Sequence, residues 1–182
     1  MKSMVKTIRL GDPGGERIPL DLDMFPRTAV ARSLKEVLVP ESWDFARKRA
    51  YQSAGYACQH CGKTMSDGAP VYATAVWQFA EECVDGYFVQ KLVGVIAVCS
   101  ECFALKRMWP GLEEAVPRLA EVWEVSCEEA YQRVMEEERL SEERSLKLWA
   151  LDLSWLEDWG IPSAVKDPCT RVIRDGAVMG EA

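Results

Sequence analysis

Two cysteine pairs, Cys58-x-x-Cys61 and Cys99-x-x-Cys102, constrain this chain more than any other feature. A two-residue spacing lets both thiolates of one turn reach a single ion, and two such turns complete a tetrahedral, all-sulfur site of the kind zinc prefers. Four sulfurs leave no coordination position open for water or substrate, so one structural zinc ion is expected, with iron the alternative that sulfur donors leave open. A redox role is disfavoured, because two CxxC turns are present and neither sits in a thioredoxin-like context. Cys83, Cys127 and Cys169 have no partner at ligand spacing. The odd total of seven cysteines fits a metal with free thiols better than a disulfide framework.

Between the pairs lie two β-rich runs, 71–79 and 87–98, separated by the polar stretch "AEECVDG". They read as a hairpin with a long connection. The first pair follows a helix from Ser42, with Trp43, Ala46, Ala50 and Ala54 at helical spacing, Ser42 or Asp44 as cap and Gly55 as stop. The second pair opens a short helix that ends before Pro110. Knuckle, hairpin, then a pair opening a helix is the order of a treble clef. The expected fold class is therefore α+β: a treble-clef zinc domain with short N-terminal strands and a helical C-terminal extension.

Outside that core, residues 4–10 and 18–24 read as short strands around the turn-rich "GDPGGE". Residues 28–39 fit helix and extended chain equally, and Pro40 is expected to close this section, since the residue before a proline is biased away from helix. Ser126 and Glu129 form a capping box, with Cys127, Ala130, Tyr131 and Val134 as an apolar face. A second helix is expected from about Ser141 to Ala150, followed by the Trp-rich "LDLSWLEDWGIP". From Ser163 no periodicity is evident. The expected organisation is an N-terminal β-rich segment over 1–40, a zinc-binding core over 41–110, a helical extension over 111–162 and a loose tail over 163–182.

The bulk numbers set the class. A chain of 182 residues that is 48% hydrophobic can bury one sizeable core. No basic n-region precedes an apolar stretch, so no signal peptide is read. The longest apolar run, Leu92 to Val98, is too short to span a bilayer, so no membrane association and a cytoplasmic location are expected. A net charge of -7 argues against binding nucleic acid by bulk attraction. Arg47, Lys48 and Arg49, with Lys106 and Arg107, could still contact phosphate. Glutamates crowd the stretch from Glu121 to Glu143, which would repel it.

The runs "SWDFARKRAYQSAGYACQHCG", "VYATAVW", "QKLVGVIAVCSECFALK" and "LWALDLSWLE" resemble, in order and spacing, a group of bacterial HNH-endonuclease-like proteins over roughly residues 40 to 157. The resemblance implies that the two CxxC pairs hold a structural zinc. It also implies a separate ββα unit for nuclease work, in which one His activates water, a second group holds a divalent cation on phosphate, and an Asn orients the basic His. In that family His commonly stands before the hydrophobic-Trp pair and after the second CxxC. Here those positions hold Thr74, Ala75 and Phe103. The chain contains no asparagine, and its one histidine is His60, inside the first CxxC turn and expected to face solvent. The resemblance therefore carries over Cys58, Cys61, Cys99 and Cys102, and leaves Thr74, Ala75 and Phe103 as vacated catalytic positions.

Three functions follow as expectations. The first is a catalytically degenerate HNH-like protein acting by macromolecular binding, with a protein partner such as a nucleic-acid-handling protein, as regulator or antagonist. The second is a divalent-metal-dependent HNH-family endonuclease with a carboxylate site built from Glu81, Glu82 and Asp85, or from Glu101 beside the zinc turn. The third is a non-cutting DNA- or RNA-binding regulator. A small-molecule ligand near the vacated positions stays open.

Overall fold

The computed structural model describes residues 17–68, 70–108 and 111–180. Its centre is a long hairpin, β1 (Val71–Val84) and β2 (Tyr87–Cys99), antiparallel from Val71 opposite Cys99 to Val84 opposite Tyr87. The connection is not long. "AEECV" continues β1, and Asp85-Gly86 alone makes the turn, both in the left-handed region at φ 50° and 84°. A two-residue turn with both φ positive matches the right-handed twist of its strands, which is why Asp-Gly suits it.

A register shift lies where Val76 pairs with Gly94 but Trp77 pairs with Leu92, leaving Val93 as the extra residue. One extra residue inverts the alternation of faces. Accordingly Leu92 and Val95 enter one apolar cluster, and Val93, Ile96 and Val98 enter the other. Side chains of β2 thus feed two cores on opposite faces of one hairpin, and the strand is buried almost throughout.

The first core is covered by α1 (Leu34–Val37) and α2 (Pro40–Ser53). Pro40 does not close a section but opens α2, where its missing N–H and fixed φ fit the first helical turn. The expected cap, Ser42 or Asp44, is displaced accordingly: Val39 is the N-cap residue and supplies no side-chain cap, while Ser42 is buried within the helix. The fully buried Ala46 and Ala50 let α2 lie close over the sheet.

The second core is covered by α3 (Ser100–Lys106), α4 (Leu112–Trp123) and α5 (Cys127–Arg144). Ser126 caps α5 by accepting from the Glu129 amide at 3.1 Å. Ala130 and Val134 are buried, whereas Cys127 and Tyr131 stay exposed.

The C-terminal third differs from the expected helical extension. No new helix starts at Ser141; α5 continues to Arg144, and β3 (Trp149–Asp152) pairs parallel with β2, from Phe88 opposite Trp149 to Lys91 opposite Asp152. After α6 (Ser154–Asp158), β4 (Val172–Arg174) joins β3 in parallel and β5 (Ala177–Met179) closes an antiparallel hairpin. The stretch from Ser163 is therefore part of the sheet, in the order β1-β2-β3-β4-β5.

Residues 18–24 form no strand. Ile18 donates its amide to Gln59 and Asp23 to Lys106, so this segment straps the metal-binding side of the molecule. Of residues 28–39 only α1 is helical. The strand expected at 4–10 lies outside the described residues. Gln90, fully buried on β2, fixes this region: its Oε1 accepts from the Val30 amide at 2.9 Å and its Nε2 donates to the Ala31 carbonyl at 2.5 Å. No helix among the described residues is long and apolar enough to cross a membrane.

Candidate metal centre and adjoining cavity

Cys58 and Cys61 sit on the turn after α2, Cys99 ends β2, and Cys102 lies in the first turn of α3. Their sulfurs all lie within 4.8 Å of one another, close enough to hold a metal ion. Cys61 Sγ stands 3.7 Å from Cys99 Sγ. Two sulfurs on a tetrahedral zinc, each about 2.3 Å from the ion, would be about 3.8 Å apart. The spacing is consistent with one structural zinc. All seven cysteines are free thiols, and Cys83, Cys127 and Cys169 are exposed.

The four sulfurs are close enough to govern one another's ionisation. Cys58 is pulled well below the ordinary thiol range by the Cys102 thiol and by the backbone amides of Cys61, Cys99 and His60. The Cys102 thiol is pushed up as the partner in that bond, and burial pushes up Cys61. Without a metal the first thiolate raises its neighbours, since like charges at this distance oppose one another. A divalent cation held there would remove that opposition.

His60 does not face solvent. It is buried, and its Nδ1 lies 2.8 Å from the Ile18 carbonyl, the distance of an N–H donating to that oxygen. Its Nε2 is also buried, with no hydrogen-bond partner among the described residues. Burial lowers its pKa, and nearby Lys106 lowers it further. The ring is a neutral clasp between the strap and the first CxxC turn.

The expected carboxylate site is not assembled. Among the described residues the four cysteines are the one group of three or more His, Cys, Asp or Glu side chains that could hold a metal. Glu81 and Glu82 project from β1, and Glu81 is 3.6 Å from Lys147. Asp85 accepts from the Val178 amide at 2.9 Å, and Glu101 pairs with Lys63 at 2.5 Å.

The basic residues divide. Lys106 is buried, with Nζ 2.8 Å from Asp23 and 2.9 Å from the Asp21 carbonyl, so it does not offer a surface contact to phosphate. Arg107 reaches the same Asp23 at 3.7 Å and lays its guanidinium 4.7 Å from the centre of the Phe103 ring. Burial raises the Asp23 pKa against the pull of Lys106. On α2, Arg47 and Lys48 share the carboxylate of Asp44, while Arg49 lies 5.2 Å from the Trp159 ring.

The vacated positions Thr74, Ala75 and Phe103 do come together. They line a cavity of about 590 Å³ bounded by α2, β1 and the end of α3. From α2 come Pro40, Trp43, Asp44, Arg47 and Tyr51; from β1, Tyr72 to Ala75; from the end of α3, Phe103 and Arg107. Ser33, Lys35 and Lys166 complete the lining. Tyr72 and Phe103 stack with centroids 5.3 Å apart and planes 22° from parallel. Lys35, Tyr51, Tyr72 and Lys166 were not among the expected site residues. Trp43, Arg47 and Tyr51 recur every four residues, the one local signal that they share a face; Lys35 and Lys166 come from opposite ends of the chain and carry none.

Comparison with protein-family models, curated proteins and solved structures finds no match for this chain.

Proposed function

We propose that this chain is a catalytically degenerate, HNH-like zinc module that acts by binding rather than by cutting. One observation carries the reading: the cavity bordered by Thr74, Ala75 and Phe103 has a single carboxylate, Asp44, and no imidazole. Activating a water and holding a divalent cation on phosphate call for at least two such groups. Asp44 is already engaged by Arg47 and Lys48, and the one histidine is locked behind the metal centre against Ile18. Zinc in the four-cysteine site would be structural, joining the turn after α2 to the start of α3.

The binding role includes a protein partner. The acidic face of α5 supports this: Glu129, Glu136, Glu137 and Glu143 pair with Arg133, Arg139 and Arg144, yet further glutamates on the helix exceed these arginines. Such a face complements a basic, nucleic-acid-handling protein, as regulator or antagonist.

A cleavage assay tests the reading. Zinc-loaded protein is incubated with plasmid, linear and single-stranded DNA and with RNA, in magnesium, manganese or nickel. No cutting above buffer is expected. Cutting that co-purifies with the chain and is lost in Asp44→Asn would overturn it and make the cavity a nuclease site. Affinity capture with a charge-reversed α5 (Glu136→Lys, Glu138→Lys) as control then tests the protein partner: a basic partner should bind the native chain and not the variant.

A further inference from the structure

The cavity beside Thr74 wraps round the edge of a strand. α2 packs into the first core and α3 into the second, on opposite faces of the hairpin. A space lined by residues of both helices and by Tyr72, Ala73, Thr74 and Ala75, but by none of β2, passes round the outer edge of β1. The alternation of the strand agrees. Ala73 and Ala75 belong with the first core, Val76 with the second, and Tyr72 stacks on Phe103 of α3.

That edge is unpaired. In an antiparallel pair every second residue turns its N–H and C=O away from the partner strand. Among the described residues, the backbone of Val71–Phe79 makes no hydrogen bond to anything but β2. Thr74, Ala75 and Val76 are nevertheless buried, at 6%, 6% and 8% exposure, and backbone groups at such positions call for partners. Proteins blunt open edges with charges, prolines or irregular pairing. β1 does so only in its second half, where Glu81 and Glu82 fall in an irregularity; Val71–Phe79 holds no charged residue, proline or glycine.

The charge around the edge selects an occupant. On the α2 side the cavity is lined by Lys35, Arg47 and Lys166 against one carboxylate, Asp44. Lys166 Nζ donates to the Lys35 carbonyl at 2.6 Å, and neither lysine has a carboxylate partner among the described residues. On the other side Tyr72 is 43% exposed. Side chains of a strand laid along the edge alternate between these two sides.

We propose that the edge of β1 over Val71–Phe79 takes an extended, acidic segment of a partner protein as an added strand. Its carboxylates lie toward Lys35 and Lys166, and its intervening apolar side chains toward Tyr72. Main-chain hydrogen bonds supply the affinity and the alternating side chains the specificity. The inference rests on the reading that the chain binds a protein and does not cut. Cleavage removes that reading, whereas failed peptide binding without cleavage removes this inference alone.

The test is an array of octapeptides probed with the full-length, zinc-loaded chain. One alternate set of positions is glutamate, glutamine or lysine; the other is valine, tyrosine or threonine. The tightest glutamate peptide is then followed by fluorescence polarisation. It should bind saturably, and its glutamine and lysine counterparts at least about tenfold more weakly, since their charge no longer complements the lysines. N-methylation of alternate peptide amides separates strand addition from simple charge attraction: blocking the set that faces β1 should abolish binding, and blocking the other should leave it. Lys35→Gln and Lys166→Gln should each weaken binding about threefold, the scale of an exposed ion pair. Arg139→Gln, the same loss of charge on α5, should change nothing. Alternate amides within Val71–Phe79 should exchange more slowly when the peptide is bound, a readout that needs no variant. Five results would overturn the proposal: no saturable binding of any peptide at millimolar concentration, lysine or glutamine peptides binding as tightly as glutamate ones, equal effects of the two N-methylated sets, losses no larger in the lysine variants than in Arg139→Gln, or a dimer in sedimentation whose β1 amides are already protected, which would give the edge to a second copy.

Discussion

The metal centre and the cavity are neighbours that share α3: Cys102 enters one and the next residue, Phe103, the other. Yet they are built on opposite principles. The centre is closed, its four sulfur donors facing one another and three of them buried. The cavity is open, lined by side chains from α1, α2, β1, α3 and the C-terminal segment. A site whose donors satisfy a single ion has nothing left to offer a ligand, whereas an open cavity has room for one. On the proposed reading, the first serves architecture and the second recognition.

The comparison is broken most directly at the metal. Structural zinc contributes on the order of 10–16 kcal/mol in small zinc-dependent folds, as much as the whole stability of a typical domain. Cys102→Ser, or chelation, should therefore abolish cooperative unfolding and near-UV circular dichroism. Native mass spectrometry should show one metal per native chain. A chain that keeps its melting transition after the metal is stripped would remove the architectural role.

The next test concerns the buried ion pair beneath both sites. Lys106→Met leaves Asp23, whose side chain is 7% exposed, with one distant cation. A loss of about 3–5 kcal/mol is expected, the cost of stranding a buried charge. The double variant Asp23→Leu, Lys106→Met should recover much of it in urea titrations. If the double variant were the less stable, the pair would be a net stabiliser instead of a balanced one.

A smaller effect sharpens the boundary between strap and centre. His60 has its pKa lowered by burial, so the folded chain holds it neutral while an unfolded chain binds a proton near pH 6.5. Stability from this group is complete above the unfolded value and falls as pH drops through 6.5 toward the folded pKa. Thermal melts at saturating zinc should show that decline, and His60→Gln should flatten it. An unchanged slope in the variant would assign the acid sensitivity to the thiolates alone.

The smallest effect is a control distant from both sites. Ser126→Ala should cost about 1 kcal/mol through the lost cap on α5 and leave metal content untouched.

The metal centre was legible because its chemistry is written in residue type and local spacing, with both pairs delivered by short turns. The cavity was not, because Lys35, Arg47, Tyr72, Phe103 and Lys166 meet only after five separate segments pack. In the fold, "LWALD" reads as the end of a helix because Leu and Ala favour one, but pairing with Phe88 to Lys91 overrides that preference. The tail carried a local sign. Asp175-Gly176, with φ 50° and 78°, is the same two-residue turn as Asp85-Gly86. In the first hairpin the acidic residues before the turn imitate a loop: they lie within β1, but Glu81 and Glu82 fall in an irregularity between the Ala80–Val89 and Cys83–Phe88 pairs.

One consequence of the chain order concerns synthesis. Every sulfur donor has emerged by Cys102, while β2 acquires its parallel neighbour only when Trp149–Asp152 returns past α4 and α5. Contacts local in sequence form before those that must close a long loop. On a ribosome the knuckle, the hairpin and the start of α3 can therefore clamp an ion while the C-terminal third is still being made. A metal bound there would act as a template, holding β2 in place with its open side waiting for the strand that completes the sheet.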